Sequence, residues 1–290
     1  MNFQTFTALI TPFKNNQIDE KALENLIEFQ IKNGVSGIVP CGTTGESPTL
    51  SHEEHKKLIK LCVTIANKRI KIMAGTGSNS TSEAVEMTHY AKETGADSCL
   101  IVAPYYNKPN SEGIYQHYKA LNECGIGLIV YNIPGRSVIN ISDQDLARLS
   151  TLENVIGVKD ATGDLARIAT LRKLITKENF AYLSGEDVTA VGFNAMGGNG
   201  IISVTSNIAP KMISDLQNAT AKGDYKLALE IQDKLTDLHM AMFCQTNPIP
   251  VKYAISLLGI CSDEIRLPLT SPSNEIKERI KVEMKKLGLI

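Results

Sequence analysis

The sequence predicts a (β/α)8 barrel, and two observations carry that expectation. Eight short apolar runs recur along the chain, and the segments between them show helical periodicity. From the second run to the eighth, the starts move from position 37 to position 200, which is 163 residues over 6 steps, about 27 each. One βα unit needs roughly 30 residues. The runs are near-continuously apolar instead of alternating, as parallel strands covered on both faces must be. Rhythm alone does not exclude a doubly wound sheet.

In chain order the predicted strands are TALITPF from Thr5, GIVPCG from Gly37, KIMAGTG from Lys71 and SCLIVAPYY from Ser98. GLIVYNIP from Gly127, VIGVKDAT from Val155, AYLSGED from Ala181 and GIISVTSN from Gly200 complete the set. Between them, Leu23, Leu26, Ile27 and Ile31 form one apolar helical stripe, and Leu58, Ile59, Cys62, Ile65 and Ala66 another. Ser51 with Glu54, and Ser80 with Glu83, have the spacing of capping boxes. Gly34, Gly95 and Gly125 sit where helices must end and turn into strands. Past the last strand, Asp224–Met242, Pro250–Leu258 and Asn274–Leu287 read as appended helices. The expected division is a barrel over residues 1–222 and a C-terminal helical region over 223–290 packed on it.

Composition narrows the function. The 290 residues hold 30 Lys+Arg against 31 Asp+Glu, with 43% hydrophobic and 21% charged residues. That excludes wholesale disorder, and the near-zero charge argues against nucleic acid as a partner. No run of 18 apolar residues occurs, so no membrane span is expected. The segment MNFQTFTALITPF lacks the basic start and small-residue cleavage site of a secretory signal, so a cytoplasmic location is expected. Six cysteines without metal-binding spacing read as reduced core residues.

Barrel enzymes place their sites at the C-terminal ends of the strands. Those ends carry the unusual residues here: Gly42-Thr43-Thr44-Gly45-Glu46, Tyr105-Tyr106, Tyr131 with Pro134-Gly135-Arg136-Ser137, Lys159-Asp160, and Ser184-Gly185-Glu186-Asp187. Lys159 interrupts a strand expected to be buried. A buried ammonium either pairs or sheds its proton, and a neutral amine attacks carbonyls to form Schiff bases. The competing reading is a structural ion pair with Asp160, Glu186 or Asp187, although Asp160 is adjacent on the strand and should face the other way. Tyr131, one strand over, is a candidate acid/base. A phenol needs a relay near neutral pH, which Thr43 or Thr44 and a second tyrosine would supply. The alternative is an aromatic filling the mouth. GTTGE offers a nest for a carboxylate or simply a tight turn, and Arg136 offers a fork for a second carboxylate or a solvated loop cation. Gly197-Gly198-Asn199-Gly200 precedes a strand and opens no helix, which removes a phosphate-loop reading. His52 and His55 lack zinc-protease spacing and read as a polar helix face without metal.

The segments GTTGESPTLSHEEH, APYYNKPNSEGIYQHY, YNIPGRS, IGVKDATGD and NPIPVKYAISLLG together resemble the dihydrodipicolinate synthase family, in order and over almost the whole chain. The resemblance implies a (β/α)8 barrel with a C-terminal helical region, assembled as a homotetramer (a dimer of dimers). It implies Schiff-base condensation of pyruvate with L-aspartate 4-semialdehyde in lysine (diaminopimelate) biosynthesis, with no metal or organic cofactor. By position, Lys159 matches the Schiff-base lysine, Tyr131 the proton-shuttling tyrosine, Thr43 the relay threonine, and Tyr106 the tyrosine reaching into the neighbouring subunit's site. Thr44 matches a binder of the pyruvate carboxylate, Arg136 the arginine steering the aldehyde's carboxylate, and Ile202 a backbone carbonyl near the pyruvyl group; Gly185 falls among the substrate-binding positions. Ser47, Pro48, His52, His55, Asn79, Glu83 and Tyr105 resemble the site at which lysine inhibits many members, with Pro48 standing where that pattern has alanine. Another class I pyruvate aldolase, such as N-acetylneuraminate lyase or a 2-keto-3-deoxy sugar acid aldolase, would share Lys159 and Tyr131. Arg136 discriminates, because a compact charged aldehyde wants a guanidinium where a polyol wants hydroxyls. A non-catalytic barrel that kept the pocket is the remaining alternative.

Overall fold

Strands apolar on both faces must be covered on both faces, and closing the sheet on itself also removes its edges. The computed structural model describes residues 5–290 and has that closure. The strands are β1 (Thr5–Ala8), a small antiparallel hairpin of β2 (Phe13–Lys14) and β3 (Gln17–Ile18), then β4 (Gly37–Val39), β5 (Lys71–Gly75) and β6 (Ser98–Val102). β7 (Gly127–Asn132), β8 (Val155–Asp160), β9 (Ala181–Ser184) and β10 (Gly200–Ser203) follow. All but the hairpin form one closed parallel barrel in the order β1-β10-β9-β8-β7-β6-β5-β4, with β1 pairing β4. Each predicted run supplies one barrel strand, and the (β/α)8 expectation holds.

The strands are shorter than the runs. Pro40, Pro104 and Pro134 stand within two residues of the ends of β4, β6 and β7. A residue without an N–H cannot extend a ladder, so the chain leaves for the loops at the mouth. At the opposite end, Lys177 Nζ donates to the carbonyls of Leu152, Glu153 and Val155 at 2.7, 2.8 and 2.8 Å, which pins the start of β8.

The helices follow their sequence signals with one correction. Leu23, Leu26 and Ile27 are fully buried under the Glu20–Lys32 helix, with Ile31 at the edge of the stripe. Ser51 and Glu54 form the capping box of the His52–Ala66 helix. Gly34, Gly95 and Gly125 take φ of +79°, +98° and +65°, a conformation open to glycine at no steric cost. The Ser80–Glu83 box does not form. Ser80 makes no side-chain cap, its hydroxyl meeting Ser82 Oγ at 3.1 Å, and the Glu83 carboxylate goes to His52 and Ser78. Of the cysteines, Cys41, Cys62, Cys99 and Cys124 are buried, whereas Cys244 and Cys261 are only half-buried.

The appended helices are Tyr225–Met242, Ile249–Leu257 and Asn274–Lys286. The first lies on the Pro210–Ala221 helix, and the last packs against the other two. Leu235, Leu238, Met242, Ile280 and Met284 are fully buried in these contacts. Among the described residues no helix is long and apolar enough to cross a membrane.

One tie between the C-terminal segment and the barrel predicts an acid response. The Arg266 guanidinium donates to both carboxylate oxygens of Glu54, at 2.8 and 2.6 Å. Chiefly through that bond, the Glu54 carboxyl is held down at about 2. His117, whose Nδ1 meets Thr81 Oγ1 at 3.0 Å, is pushed down to about 4 by burial. Both groups hold a proton more weakly folded than unfolded. Their contribution to stability is therefore full above the unfolded pKa, about 6.5 for a histidine and about 4.3 for a glutamate, and is lost as the pH falls towards the folded value. The melting temperature should fall below about pH 6.5 and more steeply below about pH 4.5. Glu54→Gln should flatten the second part. Parallel profiles for wild type and variant from pH 5 to 3 would contradict this.

Candidate active site

The parallel register decides what can meet at the mouth. Tyr131 on β7 pairs with Lys159 on β8, and Lys159 pairs with Leu183 on β9. Lys159 is 6% exposed, and its Nζ lies 4.2 Å from the centre of the Tyr131 ring, itself 6% exposed. Among the described residues Lys159 Nζ has no hydrogen bond and no carboxylate oxygen within 4.0 Å. Asp160 faces the other way, as strand alternation requires. Its Oδ2 meets Arg167 at 3.4 Å, and its Oδ1 accepts from the backbone N and the hydroxyl of Thr162. Asp187 is also taken: Oδ1 accepts from Ser203 Oγ, and Oδ2 from the amides of Val204 and Thr205 at 3.0 and 3.2 Å. Glu186 makes no ion pair with Lys159, and burial, then the neighbouring Asp187, push its carboxyl up. The ion-pair reading of Lys159 thus has no counter-ion to rest on.

Room beside the amine comes from Gly185. A Cβ there would stand 2.7 Å from the Ala161 Cβ and 3.1 Å from Lys159 Cε. Ile202 is buried on β10, in register with Phe6 of β1. Thr43 lines one small cavity with Tyr131, Cys41 and Leu100. It also lines a wider one with Arg136, Ser47, Pro48 and Tyr105. Thr43 is therefore shared by the inner pocket and its entrance, together with Ser47, Gly77 and Val102.

The structure adds a residue that sequence reasoning left unassigned. Asn247, 6% exposed, donates from Nδ2 to Thr44 Oγ1 at 2.9 Å, and its backbone carbonyl accepts from Arg136 Nη2 at 2.8 Å. One residue thereby fixes two predicted carboxylate binders. The available signal was a polar side chain opening the apolar segment NPIPVKYAISLL; its partner in sequence is 203 positions away.

Tyr106 is not brought into the pocket. It is 90% exposed, with φ of +72°. A non-glycine residue in that region is strained and persists only where its surroundings enforce it. Asn107 supplies that enforcement, its amide bonding the Tyr105 carbonyl at 2.9 Å and its side chain the Asn79 carbonyl at 2.8 Å.

A third cavity, of about 160 Å³, is lined by Ser47, Pro48, His52, His55, Glu83 and Tyr105 together with Ser78 and Gly77. Asn79 is not in its lining. His52 pairs with Glu83, and His55 Nε2 meets the Gly75 carbonyl at 2.7 Å. The two histidines therefore do not share a solvated helix face: one faces a carboxylate and the other is turned inward. Burial lowers the His55 pKa and raises that of Tyr105.

The model of the dihydrodipicolinate synthetase family matches residues 2–287. The chain belongs to that family. A 4-hydroxy-tetrahydrodipicolinate synthase from Parvibaculum lavamentivorans is 53% identical over 287 residues, covering 99% of this chain and 98% of the relative. The same name is carried by a Pelagibacter ubique relative, also 53% identical and covering 98% of each chain. Among solved structures of the family, a chloride-inhibited dihydrodipicolinate synthase from Acinetobacter baumannii complexed with pyruvate has a TM-score of 0.97 at 44% identity over the full length of both chains. A family structure from Cyanidioschyzon merolae with lysine bound has a TM-score of 0.96 at 35% identity, covering 100% of this chain and 99% of the other.

Proposed function

We propose that this chain is a lyase that joins pyruvate to L-aspartate 4-semialdehyde through a Schiff base on Lys159, as a 4-hydroxy-tetrahydrodipicolinate synthase. The observation that carries the reading is the Lys159 amine, buried, without a counter-ion among the described residues, and set over the Tyr131 ring. Lys159 attacks the ketone carbon of pyruvate and water leaves. The resulting iminium is an electron sink, so a methyl proton is lost and an enamine forms. The enamine carbon attacks the aldehyde. The amine of the semialdehyde then closes on the former ketone carbon and expels Lys159.

Tyr131 moves protons through Thr43, with Tyr106 of the partner subunit completing the relay. The exposed, strained placement of Tyr106 supports a role outside its own pocket. Thr44 binds the pyruvate carboxylate, with Gly185 and the Ile202 carbonyl beside the pyruvyl group. Arg136 forks the carboxylate of the semialdehyde, held at the entrance by Asn247. A homotetramer working in the cytoplasm, with a barrel over 1–222 and a helical region over 223–290, completes the proposal. The cavity holding Glu83 and His52 is the place for lysine as feedback inhibitor, its carboxylate suited to an ammonium group.

Turnover of pyruvate with L-aspartate 4-semialdehyde should exceed that with sugar aldehydes by orders of magnitude. Comparable or better turnover with the sugar aldehydes overturns the assignment. Millimolar lysine should inhibit, and by linkage should bind less tightly when pyruvate is present if it disfavours pyruvate binding. No change in activity or melting temperature with lysine removes the regulatory part.

A further inference from the structure

A second lysine is buried in this molecule, and its surroundings are the reverse of those of Lys159. Lys252, in the Ile249–Leu257 helix, is 1% exposed, and its Nζ lies 2.7 Å from Glu46 Oε1. The other oxygen of Glu46 accepts from the Arg266 amide at 3.0 Å. Phe13 closes the pocket, with Lys252 Nζ and the Arg266 guanidinium each 4.2 Å from the centre of its ring.

Glu46 ends the Gly42-Thr43-Thr44-Gly45-Glu46 turn. It has φ of +56°, in the left-handed region, where a glutamate needs an external hold. Its own amide bonds the Thr43 carbonyl at 3.2 Å, and Thr11 Oγ1 bonds the Gly45 carbonyl at 2.6 Å. Asn247, five positions before Lys252, holds Thr44 Oγ1. One short segment therefore grips the threonine turn twice, at the Thr44 hydroxyl and at the buried Glu46 carboxylate.

We propose that the Glu46–Lys252 pair is a positioning device, which sets the Thr43–Thr44 turn against the pyruvate site from the C-terminal part of the chain. The inference rests on the roles assigned above to Thr43 and Thr44. A buried ion pair is weak support for stability, since well-packed apolar residues of similar volume often serve as well. Geometry is a different matter, because a misplacement of about 1 Å in a catalytic group can cost roughly 100-fold in rate. The pair acts through the threonines and touches no substrate.

The test compares wild type, Lys252→Met and the double variant Glu46→Leu/Lys252→Met. Circular dichroism and melting temperature report folding, and steady-state kinetics report kcat and the KM for pyruvate. The expected result is a folded double variant in which kcat is lower and KM for pyruvate higher, each by roughly tenfold. Borohydride trapping of pyruvate on Lys159 at saturating concentration should survive in both variants. Wild-type kcat and KM in either folded variant overturns the proposal. So does failure of both to fold, which would make the pair a folding element. Absence of trapping in wild type would instead sink the Schiff-base reading on which the proposal stands.

Discussion

Replacing Lys159 by alanine should lower turnover by roughly 10⁴-fold or more while leaving the barrel folded, because the reaction loses the atom that bonds substrate. The fold should tolerate the change because, among the described residues, Lys159 makes no ion pair or hydrogen bond whose loss would leave a partner stranded. Its neighbour at the reacting end is an aromatic face, not a carboxylate. A structural lysine behaves in the opposite way: its removal leaves an uncompensated buried charge and destabilises by about 3–5 kcal/mol. Circular dichroism, melting temperature and steady-state turnover on the same preparation separate the two. Turnover within tenfold of wild type, or a melting temperature that collapses, contradicts the account.

Tyr131→Phe should be the second largest effect, a loss of about 10²–10⁴-fold in kcat, the range spanned by a positioned acid/base group. The ring is retained, so the packing against Lys159 and the buried position of the side chain persist. Only the hydroxyl goes. Pyruvate should therefore still be captured on Lys159, more slowly, while condensation stalls. A variant with unchanged kcat would move the proton-handling role to another residue; one that no longer captures pyruvate at any concentration would assign the phenol to imine formation alone.

The barrel was legible because its strands are apolar on both faces and its helices are not, so two periods alternate along the chain. Strand ends were less so, since prolines such as Pro40 and Pro104 stop the ladder inside runs that remain apolar. The Ser80–Glu83 spacing is that of a cap, but His52, from another helix, and the nearby Ser78 take the carboxylate instead. Lys159 and Lys252 show the limit most plainly. Each is a lysine inside an apolar stretch, and local sequence treats them alike. The fold gives Lys252 a carboxylate from a residue 206 positions away and gives Lys159 none. Pairings at that separation, Asn247 with Thr44 among them, depend on which strand ends converge, and no local pattern encodes them.

The most direct measurement is intact-mass analysis after borohydride reduction, with and without pyruvate, followed by peptide mapping. The account predicts one added reduced pyruvyl group per chain, only when pyruvate is present, on the peptide containing Lys159. An unmodified chain, or the same mass added at Lys252 or any other amine, would contradict it.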